Sequence, residues 1–527
     1  MSATRPPQRL AASTTAISLA TAASRLLGFI RDLLIAKLFG TGPQAQAFVV
    51  AFRLPNLLRD LVAEGAVTSA MVPVLSAYRA TKSPQEFWRL AQTLWVRVIV
   101  AATGLGMAGA LLAPWLVRAI APGFVIDAEK FALTVTLTRW LFPFITLVGL
   151  WAYFMGLLNS LRHFALPALG PAVLNLAMIA GCVWLVPVTQ PPVLGVVWAI
   201  LVGGVIQLVL PLPQAIAAGF RWQVVWHHPA SRDVMRLLAP RLVGSAVHQV
   251  SVFMNTILAS LSALAGEGAV AALYFANRLV QLPLALFGVA SAQASLPALS
   301  EQAARRDFAR FRTTLLAVVR MVSFITCPAA VGLFVLAEPI VRICLERGAF
   351  DAASSAMTAH ALRFFAVGLL AFSFSKVFTG AFYALQDTRT PVRLALEALG
   401  VNLVFALLLL APMDVGGLAL ATSMASLLNA WRLVGALERR LADRLMPELI
   451  RPLSRIVLAS LLMGAGCALA WGTLQALLPP IGALSLVILG GMMAYGVSCR
   501  LVGVPELDTV LRWLRRILPP SASSEDA

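Results

Sequence analysis

The sequence predicts an all-α polytopic membrane protein with about 14 transmembrane helices, arranged as two pseudo-symmetric six-helix lobes plus two C-terminal helices. Three observations lead there: a composition too apolar for a water-soluble core, apolar segments of spanning length divided by turn signals, and Lys and Arg gathered in alternate connections. Hydrophobic residues make up 60% of the chain and charged residues only 12%, with a mean hydropathy of +0.85. Lipid is therefore the main solvent. A hydrocarbon core ~30 Å thick takes about 20 apolar residues per helical span. The 527 residues accordingly hold a dozen or more spans and leave no room for a large soluble domain.

Residues 1–23 loosely mimic a signal peptide, with Arg5 and Arg9 ahead of small residues. The stretch runs unbroken into Ser24, Arg25 and Leu26, so it reads as an uncleaved lead into the first span. Apolar segments then fall near residues 15–39, 45–75, 90–118, 131–158, 164–187, 192–219, 237–264, 268–299, 313–337, 354–385, 392–412, 415–437, 453–477 and 480–503. Pro55, Gly65 and Pro73 interrupt the second segment and Pro283 the eighth. A freed backbone group at membrane depth has to be buried in protein or line a cavity, although an ordinary packed proline kink explains each of these equally well alone.

The connections test the number of spans, because basic residues concentrate on the cytoplasmic side. One set carries Arg5 and Arg9; Arg79, Lys82 and Arg89; Arg162; Arg221, Arg232, Arg236 and Arg241; Arg305, Arg306, Arg310 and Arg312; Arg389 and Arg393; residues 432–455; and residues 500–516. The alternate set holds almost none, with Arg118, Lys130, Arg342 and Arg347 as exceptions. Both termini are therefore expected in the cytoplasm, and residues 510–518 form a short interfacial helix.

The chain also matches itself at an offset of 224 residues: Pro73 falls on Pro297 (297 less 73), Ser76 on Ser300, Arg118 on Arg342, Gly156 on Gly380 and Pro167 on Pro391. One offset recurring along successive helices marks an internal repeat. Six helices per copy is an even number, so the copies share one orientation about an axis along the membrane normal. This gives lobes at 1–220 and 221–445, with 446–527 as two further helices and a cytoplasmic tail. A cleft between such lobes is the usual frame for alternating access.

Charge inside the spans carries the functional reading. Arg25, Arg31, Arg53, Arg59 and Arg278 lie within them, with Asp32, Asp60 and Glu64 nearby. An arginine at the bilayer centre costs at least ~2.5–3.5 kcal/mol, so five facing lipid would forfeit roughly 12–17 kcal/mol, the whole stability of an ordinary fold. A single arginine is as well explained by snorkelling or a buried ion pair. The group, with Arg278 lacking an acid in its span, points to a shared aqueous cleft. Guanidinium forks in such a place suit phosphate or pyrophosphate oxygens.

Other chemistries lack residues. The basic residues are scattered between spans and form no aromatic-flanked face, which argues against nucleic acid. Cys182, Cys327, Cys344, Cys467 and Cys499 stand singly, and His227 and His228 share a polar loop, so neither disulfide nor metal spacing is present. No GxxxxGK[ST] loop and no nucleophile–base pair is recognisable, and the chain is read as a non-enzyme.

At these residues the sequence resembles a known family. Residues 24–32 (SRLLGFIRD), 51–59 (AFRLPNLLR) and 63–66 (AEGA) look like the first two helices of the MurJ (MviN) family of lipid II flippases. The likeness continues through 121–124, 167–175, Arg278 with Gln281 and Pro283, Arg347 with Gly348 and Phe350, and 383–391, covering nearly the whole chain. The resemblance implies two six-helix lobes of the multidrug/oligosaccharidyl-lipid/polysaccharide exporter superfamily, with the last two helices forming a groove for a lipid tail. It implies a bacterial inner-membrane monomer that flips lipid II, the undecaprenyl-pyrophosphate-linked peptidoglycan precursor, to the periplasmic leaflet.

On the same resemblance, Arg25, Arg31, Arg59 and Arg278, with Ser24 and Asn56, meet the substrate, and Asp32 and Glu64 are the nearby acids. Gln46 stands where many members have Asp, and Asn277 and Gln281 where some have acids; these positions belong to gating or ion pairing, and the cleft here is more positive. No cofactor is expected beyond coupling to membrane potential or a monovalent cation. Alternatives are export of another polyprenyl-pyrophosphate-linked saccharide and a non-transporting scaffold for cell-wall enzymes.

Overall fold

A computed structural model describes residues 7–61, 67–163 and 165–517; side chains are described for these apart from 7–22, 58, 60–61, 67–69, 165–168, 237–248 and 513–517. Among the described residues the secondary structure is entirely helical. By packing, the chain forms two compact units, residues 1–271 with 347–351, and residues 272–346 with 352–527.

In the first unit the order is α1 (Pro7–Phe39), α2 (Pro43–Leu61), α3 (Val67–Thr81), α4 (Pro84–Leu111), α5 (Ala113–Ile120), α6 (Ala128–Leu141), α7 (Pro143–Ser160), α8 (Ala165–Trp184), α9 (Val193–Val209), α10 (Leu212–Ala217), α11 (Ser231–Ala259) and α12 (Ser262–Ala265). Local chemistry sets the boundaries. Ser83 caps α4 by accepting from the Glu86 N–H at 3.3 Å, with Pro84 in the first turn where its missing N–H costs nothing. Asp127 caps α6 in the same way through the Lys130 N–H at 3.0 Å. The core lies between α3, α4 and α7, where Met71, Leu90, Leu94, Phe154 and Leu157 are buried and the Tyr153 hydroxyl donates to the Ala91 carbonyl at 2.8 Å. That bond answers the one polar atom Tyr153 brings into an apolar interior.

The second unit runs α13 (Ala269–Pro283), α14 (Ala290–Ala304), α15 (Phe308–Val335), α16 (Ala337–Leu345), α17 (Ala352–Ala384), α18 (Arg389–Leu441), α19 (Met446–Leu477), α20 (Pro480–Val502) and α21 (Glu506–Ile517). The expected interruption at Pro283 is a π-helical stretch over Leu284–Val289, a widened turn that absorbs the lost N–H. Two cores form here: Phe311, Leu315, Val377, Phe378 and Leu433 join α15, α17 and α18, and Phe324, Ile456, Met463, Val487 and Tyr495 join α15 to α19 and α20.

Where described, the fourteen expected spans fall mainly on helix, several of them divided: the second between α2 and α3, the third between α4 and α5, the fourth between α6 and α7, the sixth between α9 and α10, and the eighth between α13 and α14. Among the described residues nine helices are long and apolar enough to cross a membrane. One of them, α18, has 53 residues, roughly 80 Å at 1.5 Å per residue against a core of ~30 Å. It holds two expected spans. The connection between them, expected at 411–416, contracts to a kink at Asp414, whose φ of 48° and ψ of −133° are non-helical. The interfacial helix expected at 510–518 begins earlier, at Glu506.

The repeat reaches the backbone. Pro84–Leu111 and Phe308–Val335 start and end 224 residues apart (308 less 84, 335 less 111). The pair α6–α7 and helix α17 share the offset at both ends (352 less 128, 384 less 160). So do single left-handed residues, Arg162 at φ 67° and Gln386 at φ 59°, each followed by the same 2.9 Å bond, His163 N–H to the Leu158 carbonyl and Asp387 N–H to the Phe382 carbonyl.

Of the basic residues that break the alternation of charge, two are paired with carboxylates and a third stacks on aromatic rings. Arg118 lies over Trp115 and Phe131 at 5.1 and 5.5 Å, Lys130 pairs with Glu267 at 3.0 Å, and Arg342 pairs with Glu338 at 3.1 Å and Glu346 at 3.7 Å.

α11 opens the second repeat yet packs in the first unit, and two loops within that unit show how. The turn after α5 meets the end of α11, where the Gly123 N–H donates to Ser260 Oγ at 3.1 Å. A Cβ on Gly123 would overlap the Ser260 carbonyl, so only glycine allows this approach. At the equivalent place of the second repeat, the Ala349 N–H donates to the Lys37 carbonyl at the end of α1 at 2.8 Å. Gly348 there has φ +63° and no room for a Cβ against the same carbonyl.

Candidate functional site

Within the first unit, the face of α1 formed by Ser24, Gly28 and Arg31 meets α8, since residues three and four apart share one side of a helix. Arg31 is buried, 5% exposed, beside Asp32 at 4%. Its Nε and Nη2 donate to Asp32 Oδ1 at 3.0 and 2.7 Å, and its Nη1 donates to Asn175 Oδ1 at 2.8 Å. Asn175, on α8, passes its amide N–H to the Ser24 carbonyl at 2.9 Å. Arg25, the neighbouring candidate, is exposed.

On α2, Gln46 is buried at 3%, and Arg53 Nη1 donates to the Val252 carbonyl of α11 at 3.1 Å. Asn56 and Arg59 follow, both half-buried, on the helical turns around Pro55. Glu64 and Gly65 lie outside the described residues, as does the Asp60 side chain.

In the second unit α13 carries Arg278. Its guanidinium stacks on the Tyr274 ring at 4.9 Å from the centroid, Nη2 donates to the Tyr274 hydroxyl at 3.3 Å, and Nη1 donates to Gln281 Oε1 at 3.2 Å. Gln281 and Asn277 are exposed. A glutamine where a carboxylate is possible holds the guanidinium with an uncharged acceptor. The ring below adds quadrupole attraction without itself cancelling charge, and the two contacts orient the cation.

The structure thus joins Ser24, Arg31 and Asp32 in one network, and Arg278 and Gln281 in another. Sequence reasoning passes over Asn175, Tyr274 and Lys376. Asn175 lies in the stretch that resembles the family, but only the fold brings it to Arg31, 144 residues away. Lys376, exposed on apolar α17, is found by the same scan for charge inside spans that finds the arginines. Among the described residues there is no group of three or more metal-ligating side chains.

Comparison with known proteins gives the fold its relatives. Residues 35–486 match the family described as lipid II flippase MurJ. The chain is 34% identical over 527 residues to a "Probable lipid II flippase MurJ" of Rhizobium tropici, covering 96% of this chain and 97% of that one. It is 33% identical over 449 residues to a "Lipid II flippase MurJ" of Burkholderia cenocepacia, covering 84% and 86%. A solved lipid II flippase MurJ in an inward closed conformation superposes with a TM-score of 0.79 at 24% identity, over 92% of this chain and 98% of that one. An inward-facing multidrug transporter of the MATE family in the MOP superfamily superposes at 0.67 with 15% identity. A match spanning both repeats and running on into α20 leaves no large segment outside the likeness, and the chain belongs to the lipid II flippase MurJ family.

Proposed function

We propose that this protein translocates lipid II from the cytoplasmic to the periplasmic leaflet of a bacterial inner membrane by alternating access. The observation that carries the reading is the family match over residues 35–486, with relatives aligned over almost their whole length. The arginine chemistry supports it independently. Arg25, Arg31, Arg59 and Arg278, with Ser24 and Asn56, take the pyrophosphate in place of water, and charge-assisted bonds from guanidinium forks suit that group better than ammonium ions.

Neutralising those cations lets the protein close around the headgroup. Asp32, Glu64, Gln46, Asn277 and Gln281 set the gating and ion pairing, while the prenyl tail stays in lipid along α19 and α20. The protein acts as a monomer, with both termini cytoplasmic and no covalent step. An inside-negative potential contributes about 2.3 kcal/mol per charge per 100 mV. It favours outward movement of the anion and inward return of the empty cationic site, and a monovalent cation is the other candidate for coupling.

The test is complementation of a strain depleted of its own lipid II flippase, with wild type beside Arg25→Ala, Arg59→Ala and Arg278→Ala. Wild type is expected to sustain growth, and the variants to fail at wild-type abundance in the membrane. Rescue by all three variants removes the binding role. Failure of wild type, inserted normally, points instead to another undecaprenyl-pyrophosphate-linked saccharide, a reading favoured by the neutral Gln46, Asn277 and Gln281.

A further inference from the structure

We infer that Asn175 is a positioning residue: fixed in one orientation by Ser24, its amide aims the Arg31 guanidinium and holds it against Asp32 at the packing of α1 on α8. The functional half of this inference rests on the pyrophosphate reading above.

The orientation follows from hydrogen-bond chemistry. A guanidinium only donates and a peptide carbonyl only accepts. Asn175 stands between one of each, with Oδ1 2.8 Å from Arg31 Nη1 and Nδ2 2.9 Å from the Ser24 carbonyl. Only one assignment of the amide oxygen and nitrogen satisfies both. Nδ2 also lies 3.5 Å from Ser24 Oγ. Gly28, between Ser24 and Arg31 on this face, leaves the amide its place, since a Cβ there would sit 3.3 Å from Nδ2.

Asp32 reaches the guanidinium through a single oxygen, shared by Nε and Nη2. That contact fixes one edge of the fork. The other edge is held by Asn175, 8% exposed, with Met178 Sδ 3.9 Å from Nη1 beside it. Without the amide, a buried charged donor loses a 2.8 Å acceptor, and the restraint on this edge of the fork weakens. Side chains of the same size without both groups cannot do the same work. Aspartate has no donor for Ser24 and sets an oxygen against its carbonyl; leucine has neither group.

The consequence is division of labour around one cation: Asp32 balances its charge and Asn175 fixes its direction. The ordering of a long side chain is completed on folding, so a ligand phosphate does not have to supply it on binding.

A double-mutant cycle tests this in purified full-length protein, with undecaprenyl pyrophosphate in nanodiscs as the probe and melting temperature as a second measurement. Asn175→Ala is expected to lower the melting temperature and weaken probe binding roughly ten- to hundredfold. Asn175→Asp is expected to weaken binding as well, despite its added charge for Arg31. In an Arg31→Ala background, or Arg31→Lys should that variant fail to fold, removing Asn175 is expected to change neither measurement further. Melting-temperature losses that simply add across the cycle would show that the two side chains do not act together and would overturn the inference. So would an Asn175→Ala protein with wild-type stability and affinity. If Arg31→Ala leaves probe binding intact while the stability cycle still shows coupling, positioning stands and the phosphate role of Arg31 falls.

Discussion

Asp387 shows how much one side chain settles at the turn before α18. It accepts from the Arg389 N–H at 3.1 Å, the Thr390 N–H at 3.0 Å and the Thr390 hydroxyl at 2.7 Å. Burial pushes its carboxyl up, but the bonds from Thr390 and Arg389 and the charge of Arg440 outweigh that and leave it below the usual 3.8. A carboxylate depressed in the fold adds stability above its unfolded pKa, and the gain disappears as pH falls through the folded value. Asp387→Asn is therefore expected to melt lower than wild type at neutral pH, with the gap closing in acid below about pH 3.8. Thermal scans across pH measure it, and a gap unchanged in acid would assign the effect to geometry instead of ionisation. Arg31 marks the limit of the sequence at this scale. Its presence inside a span, and so its need for partners, is legible from hydropathy; Asp32 is legible as its neighbour. Asn175 is not, because no periodicity links residues on helices that meet only when packed.

The helices themselves were legible where they are long and apolar, and less so at their joints. Helix α4 has Ser83 and Pro84 to announce its start, whereas Asp414 gives no local sign that a single residue replaces a loop. The reciprocal glycine contacts at the ends of α1 and α11 belong to the same class of joint. Beside one of them, Lys130 is buried to 3% and lies 4.9 Å over the Phe124 ring, with Glu267 exposed at 65% as its partner. Lys130→Glu places two carboxylates together and is expected to destabilise by about 1–3 kcal/mol, toward the lower end because Glu267 is in solvent. Lys130→Glu combined with Glu267→Lys is expected to recover most of the loss. Melting of the two variants against wild type decides it, and no recovery in the double variant would mean that Lys130 matters through its packing on Phe124.

At the scale of the molecule, the alternation of basic connections makes a prediction about sidedness. In a cysteine-free background, Glu267→Cys is expected to react with a membrane-impermeant thiol reagent added to spheroplasts, and Asp387→Cys only after permeabilisation. Equal labelling of both positions would invert or abolish the assigned orientation. The repeat was legible from a few matched residues because membrane spans tolerate little change in length; its full extent was not, because most side chains in the two copies differ. Phe87, Ala91, Phe154 and Leu158 in one core correspond, 224 residues on, to Phe311, Leu315, Phe378 and Phe382 in another, and all eight are buried. Such constancy of spacing, from the cap of α4 to the end of α7 and on to the left-handed residue that follows, means that the two copies show no net difference in length there. Exchange of 84–162 for 308–386 accordingly needs no trimming or padding, and a chimaera with one of these stretches duplicated in place of the other is a substitution experiment in side chains alone.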